Sequence, residues 1–218
     1  MIYFACNNPE KWALLDQLSI PYEVLKMRLR PEDRSDLNET PFNDESASTY
    51  VQRLALNRAH VAWDRAQQRF MFPRPVLSAH TALSFKNMIL ERPGSEVEAF
   101  RMLKMLSGQT HQVLTAVALI YKEHTACVLS VSEVKFHELS DETLFHYIEN
   151  EEGILEKRGA YEMSGLAAAF IESINGSDSG IKGLPLYETS QLLESLKHFN
   201  LTPSVGGFVL YQKALEKI

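Results

Sequence analysis

The chain has 218 residues, 45% hydrophobic and 23% charged, with 22 basic against 28 acidic side chains and a formal net charge of −6. That length buries one full core, and the acidic balance argues against a nucleic-acid backbone as partner, since such binders draw affinity from a net basic face. Two cysteines, Cys6 and Cys127, lie in apolar runs and read as buried reduced thiols, not a disulfide framework.

Ile2 to Ala5 is a short apolar run ending at Asn7-Asn8-Pro9, after which Trp12, Leu14, Leu15 and Leu18 recur at helical spacing. The order is strand, polar turn, helix. This N-terminus lacks the basic region of a signal peptide. No apolar run reaches the roughly 18 residues needed to span a bilayer, so a cytoplasmic protein without membrane contact is expected. Pro21 precedes a second short strand over Tyr22 to Leu25, and residues 28 to 47, broken by Pro31 and Pro41, read as a long polar loop of the functional or mobile kind. Ser46 or Ser48 caps a helix to about Arg69, with Val51, Leu54, Ala55, Ala59, Ala62, Trp63 and Ala66 repeating at three and four. Pro73 and Pro75 end it.

Val76 to Ala79 and Thr81 to Phe85 read as strand segments, with a turn at Lys86-Asn87. Pro93 and Ser95 open a helix that Gly108 stops. Gln112 to Tyr121 and Ala126 to Phe136, separated by Lys122-Glu123-His124, form a hairpin pattern, and Ser140-Asp141-Glu142 starts a helix with its acids in the first turn. A glycine-spaced stretch from Gly159 to Gly183 leads to a helix from about Pro185 to His198, and Phe208 to Tyr211 returns as a strand or short helix. With no repeat, low-complexity tract or linker, residues 1–218 read as one α/β domain.

Several segments resemble, in order and spacing, the Maf family of nucleoside triphosphate pyrophosphatases. They are Ala5-Cys6-Asn7-Asn8-Pro9-Glu10-Lys11 with Leu14-Leu15; Asp44-Glu45-Ser46 with Tyr50-Val51-Gln52-Arg53-Leu54-Ala55; and Ser78-Ala79-His80-Thr81. Further on come Leu106-Ser107-Gly108-Gln109-Thr110-His111, then Lys157-Arg158-Gly159-Ala160-Tyr161 with Gly165-Leu166, Phe170-Ile171-Glu172 and Gly183-Leu184-Pro185-Leu186. The likeness is strongest over 2–195, leaving 196–218 as a C-terminal extension. It implies an elongated, mixed, twisted sheet flanked by helices, of Maf and inosine-triphosphatase type, with two lobes and a central cleft. It also implies hydrolysis of nucleoside triphosphates to monophosphate and pyrophosphate, a divalent metal, and a homodimer.

The resemblance assigns roles residue by residue. Glu45 stands for the family's assisting glutamate and metal ligand, while His80 stands where the family has its catalytic aspartate. Imidazole is a base near neutral pH but a poor replacement for an anionic oxygen on Mg²⁺; Mn²⁺ suits a Glu45 and His80 pair better. The plainer reading of His80 is an inert, hydrogen-bonded histidine at a strand end. The N-terminal arginines become Glu10 and Lys11, one reversed in sign and one without the bidentate fork. Two family lysines become Arg58 and Arg92, for which surface charges are the plain alternative. Asn7 and Asn8 replace serines and offer phosphate donors ahead of a helix, or simply a capped turn. Ser164 replaces a glutamine. His111 and Tyr161 read as packing residues.

Asn7, Lys11, Glu45, Arg58, His80 and Arg92 are thus expected in one cleft. With so many exchanges in one site, ordinary Mg²⁺-dependent hydrolysis is not expected. The leading reading is a nucleotide-binding protein with weak, altered or absent activity. A divergent pyrophosphatase using His80, Glu45 and a softer metal is the first alternative, and a structural or partner-binding protein the second.

Overall fold

The computed structural model describes residues 1–27, 38–163 and 165–199. Ser164, the tail element at Phe208 to Tyr211 and residues 28–37 of the expected loop lie outside these residues. In chain order the elements are β1 (Ile2–Phe4), α1 (Pro9–Asp16), β2 (Tyr22–Val24), α2 (Ala47–Gln68), β3 (Val76–Phe85), β4 (Met88–Leu90) and α3 (Glu96–Leu106). There follow β5 (Thr110–Tyr121), β6 (His124–Phe136), α4 (Asp141–Asn150), β7 (Ile171–Asn175), α5 (Asp178–Ile181) and α6 (Leu186–Glu194). The glycine-spaced stretch, to which the sequence assigns no elements, holds short 3₁₀ turns at Arg158–Ala160 and Gly165–Phe170 together with β7 and α5.

Among the described residues seven strands form one mixed sheet, ordered β2-β1-β3-β5-β6-β7, with β4 beside β3. The contacts of β1 with β2 and β3 are parallel and the others antiparallel. This is the mixed α/β sheet flanked by helices that the motifs imply. Side chains of β5 alternate with the period of two. Leu114, Ala116, Ala118 and Ile120 pack under the buried stripe of α2, Tyr50, Val51, Leu54, Ala55 and Ala59. Alanines on both sides let that 22-residue helix lie close to the sheet. Its first turn is capped by the Ser46 side chain, which accepts from Thr49 N–H.

On the opposite face the core divides. Val117 and Leu119 join Phe4, Leu15 and Leu192 in one cluster, while Val113 joins Leu83, Leu103 and Phe136 in another. Between them sits Thr115, fully buried, paired across the ladder with Thr81. The break in apolar packing marks where the two lobes meet.

One expectation is corrected. The sequence suggests two segments around His80, but β3 is a single ten-residue strand. His80 pairs in register with Ala116, and its ring lies edge-on to Tyr50 at 5.5 Å, so burial keeps the histidine within the strand.

Candidate functional site

The cleft follows from strand pairing. One edge of β3 pairs with β5 from Val76 to Ser84. Among the described residues its other edge meets β1 only at Val76 and Leu77, and β4 only from Leu83 to Phe85. The stretch between, which holds His80 and Thr81, borders a cavity of about 800 Å³. Lys11 of α1, Arg58 of α2, Arg92 after β4, and Lys157, Arg158 and Lys182 bring six cations to its wall, against the four carboxylates of Glu10, Glu39, Glu156 and Glu162. Leu83, Val113, Tyr161, Met163 and Ile181 line an apolar portion. A cleft that joins a cationic wall to an apolar one suits a ligand with an anionic tail and a flat, less polar body.

Lys11 reaches inward and donates from Nζ to Thr81 Oγ1 at 3.3 Å; Thr81 lies 2.9 Å from Thr115, which donates to Gly180 O at 2.8 Å. Gly183 makes room for this. Its φ is +100°, and a Cβ there would sit 2.6 Å from Lys11 Cε. Burial, with Arg58 and Arg158 nearby, pulls the Lys11 ammonium down to about 8.

His80 is 2% exposed, and its Nε2 has no hydrogen-bond partner among the described residues. Burial, then the charges of Arg158, Arg58, Lys11 and Arg53, hold its pKa well below the ordinary histidine value. The imidazole is neutral, inside a ring of cations.

Glu39 brings a carboxylate to this ring. Arg58 Nη2 donates to its Oε1 at 2.7 Å and Arg158 Nη2 approaches Oε2 at 3.4 Å. Its backbone is pinned from α2: the Tyr50 hydroxyl donates to Glu39 O at 2.8 Å, and Arg53 donates to the carbonyls of Asn38 and Thr40 at 3.1 and 3.2 Å. Arg53 is itself fixed by Glu45 through two bonds of 2.6 and 2.7 Å, with its guanidinium 4.1 Å from the Phe42 ring centroid. These bonds, with the Phe42 N–H, hold the Glu45 carboxyl below its ordinary range.

A family model described as Maf-like protein matches residues 1–196. The chain belongs to the Maf-like protein family. Relatives named dTTP/UTP pyrophosphatase include those of Aromatoleum aromaticum, 43% identical over 89% of this chain and 94% of that protein, and Dechloromonas aromatica, 39% identical over 89% and 96%. That of Nitrosomonas europaea is 42% identical over 88% and 93%. The solved structure of the Staphylococcus aureus Ham1 protein matches 62% of this chain and 71% of its own at 14% identity and a TM-score of 0.43, a likeness that carries no argument.

Within this Maf chain, Asn7, Asn8, Lys11, Arg58, His80 and Arg92 all line the one cavity. Asn7 and Asn8 are exposed at its lip. Asn8 Oδ1 caps α1, accepting from Glu10 N–H at 2.7 Å and Lys11 N–H at 3.4 Å. Arg92 sits on the exposed rim, 3.4 Å from Glu156. Glu45 is not brought to the cavity wall; its side chain is 4% exposed and bound to Arg53.

The sequence reading does not reach Glu39, Arg158 or Lys182. Arg158 stands inside a quoted motif, but only the fold places it beside Arg58. Glu39 lies in the aperiodic loop, where the one available signal was Arg53, a cation on the next helix able to tether it. A divalent metal needs hard oxygen ligands, and these residues do not fit one. No group of three or more His, Cys, Asp or Glu is placed to hold an ion among the described residues, Glu45 is bound to Arg53, and Glu39 is paired with two guanidiniums.

Proposed function

We propose that this Maf chain binds nucleoside triphosphates and hydrolyses them to monophosphate and pyrophosphate only weakly. The substrate class rests on the relatives named dTTP/UTP pyrophosphatase at 36–43% identity. Lys11, Arg58, Arg158 and Arg92 face the polyphosphate, and the apolar portion at Val113, Tyr161 and Met163 receives the base. Weak turnover is supported by one observation above the others: His80, where the family has its aspartate, is neutral, buried and surrounded by cations. An imidazole so depressed takes a proton from water poorly at neutral pH, and general-base help is commonly worth 10²–10⁴ in rate.

The test is pyrophosphate release from dTTP and UTP measured beside equilibrium binding. Binding with very slow release is expected, and His80→Asp alone leaves release slow because Glu10 and Lys11 still line the phosphate side. Turnover near about 1 s⁻¹ or above, within the ordinary enzyme range, would falsify weak hydrolysis. It would support the second reading, a functional divergent pyrophosphatase, which is favoured by Glu39. That carboxylate already stands in the cleft beside Arg58 and becomes available as a base once phosphate oxygens take over the guanidinium.

A further inference from the structure

We infer that the cleft takes its polyphosphate without a divalent metal, the guanidiniums of Arg58 and Arg158 standing in for the ion, so that metal-free nucleotide is bound in preference to its Mg²⁺ complex. The inference rests on the nucleotide-binding reading above and concerns which charge state of the ligand the site accepts.

Three features point this way. The first is the donor set. A divalent cation on a triphosphate bridges its β and γ oxygens and neutralises about half of its charge of about −4. A protein that accepts the complex offers the ion carboxylate oxygens. Of the four carboxylates at the cavity, Glu156 and Glu162 are paired with Arg92 and Lys157, and Glu39 is held between two guanidiniums, at 2.7 Å from Arg58 and 3.4 Å from Arg158. Recruiting it to an ion breaks both contacts and leaves two cations facing a third.

The second is an unmet donor. Arg158 Nε is buried at the cavity and has no hydrogen-bond partner among the described residues, and its Nη2 contact to Glu39 is long. Its backbone is fixed all the same. The turn at Gly159, with φ of +66°, donates its N–H to Glu91 O at 3.0 Å, and the neighbouring Lys157 is tied to Glu151 and Glu162. A rigidly presented guanidinium with an unused Nε–H matches an anionic oxygen in the fork geometry that carboxylate and phosphate favour. Glu39 fills only part of that demand.

The third is the field. Lys11, Arg58 and Arg158 line the cavity and act on the pocket of His80. Charges in a partly desolvated cleft are poorly screened, so this arrangement attracts a polyanion and repels a divalent cation. Glu39 then acts as a competitor for the guanidiniums, not as a ligand for an ion, and its neutralisation has opposite consequences under the two views.

Isothermal titration of the full chain with UTP, dTTP and inorganic tripolyphosphate, each in EDTA and in saturating Mg²⁺, tests the inference. Metal-free UTP or dTTP is expected to bind at least about tenfold tighter than its Mg²⁺ complex. Glu39→Gln should tighten metal-free binding severalfold. Arg158→Gln should bring the two dissociation constants within about twofold, while Arg158→Lys, which keeps the charge but not the fork, should retain only part of the preference. Equal or tighter binding of the Mg²⁺ complex overturns the inference, as does weaker Mg²⁺-nucleotide binding in Glu39→Gln with metal-free binding unchanged, the signature of a metal-ligand carboxylate. If tripolyphosphate binds in EDTA but neither nucleotide does, the guanidinium substitution stands and the nucleotide reading falls. No binding of any of the three overturns both.

Discussion

His111 gives a quantitative handle on the folded state. Its ring is 2% exposed, packed edge-on against Phe136 and Tyr161, with Nε2 and the Tyr161 hydroxyl 2.5 Å apart and Nδ1 without a partner among the described residues. Burial pulls its pKa from 6.5 down to about 4. In the unfolded chain the imidazole takes a proton below about 6.5, while in the folded chain it stays neutral until about 4. Its full contribution to stability is therefore present above 6.5 and is lost as pH falls. At about 1.4 kcal/mol per unit of pKa difference, the loss is on the order of 3 kcal/mol across that window. Urea unfolding of wild type and His111→Gln, from about pH 7.5 to about 4.5, isolates the term, because the other titrating groups are common to both. The glutamine variant loses ring contacts and is less stable at neutral pH, but its acid limb is shallower by up to about 1.4 kcal/mol per pH unit. Identical acid limbs, or an NMR titration placing His111 near its ordinary value, would refute the reasoning.

Gly183→Ala places a methyl 2.6 Å from Lys11 Cε at a φ of +100°. It should cost about 1–2 kcal/mol in unfolding free energy and weaken tripolyphosphate binding severalfold; unchanged values for both would show that Lys11 does not occupy this path. Arg53→Ala strands Glu45, whose side chain is 4% exposed, and frees the carbonyls of Asn38 and Thr40. A loss of about 3 kcal/mol is expected, with faster proteolysis between residues 38 and 45; a loss under about 1 kcal/mol would count against its role as a tether. Among the described residues β6 pairs with β7 only from Glu133 onward, leaving there an uncharged run over 125–132 as an edge of the kind that proteins usually cover. Light scattering should therefore give about twice 24.8 kDa, and a lone monomer at micromolar concentration would remove the homodimer.

The parts of the fold that were legible in the sequence are those with a local cause. The alanine-rich stripe of α2, the hairpin pattern of β5 and β6, and the caps at Ser46, Ser95 and Ser140 each rest on neighbours within a few residues. The registration of Lys11, Arg58, His80 and Arg92 on one cavity was legible through shared motif order. Glu39 was not. It lies in a polar stretch without periodicity, and what brings it to the cleft is a set of contacts from Tyr50 and Arg53, more than ten residues away, and from Arg158, more than a hundred away. Glu45 stands in the Asp44-Glu45-Ser46 motif, whose resemblance assigns it the assisting and metal-ligand role. Its carboxylate instead fixes Arg53, and so works on Glu39 at one remove.

That relationship explains how a chain of net charge −6 keeps a cationic cleft. Desolvated arginines need anionic partners, and the cleft supplies them unequally. Arg53 has a complete, shielded partner in Glu45, with two short bonds, and is thereby removed from the site's chemistry. Arg58 and Arg158 share one carboxylate that is more than a third exposed, through one short contact and one long one. The weakly satisfied pair is the one at the cavity wall, and its exposed counter-charge exchanges for a ligand's oxygens at lower cost than the buried pair would. The division of acids, one locked into the scaffold and one lightly held at the wall, makes the loop before α2 part of the binding site: Glu45 and Arg53 hold in place the carboxylate that a polyphosphate has to displace.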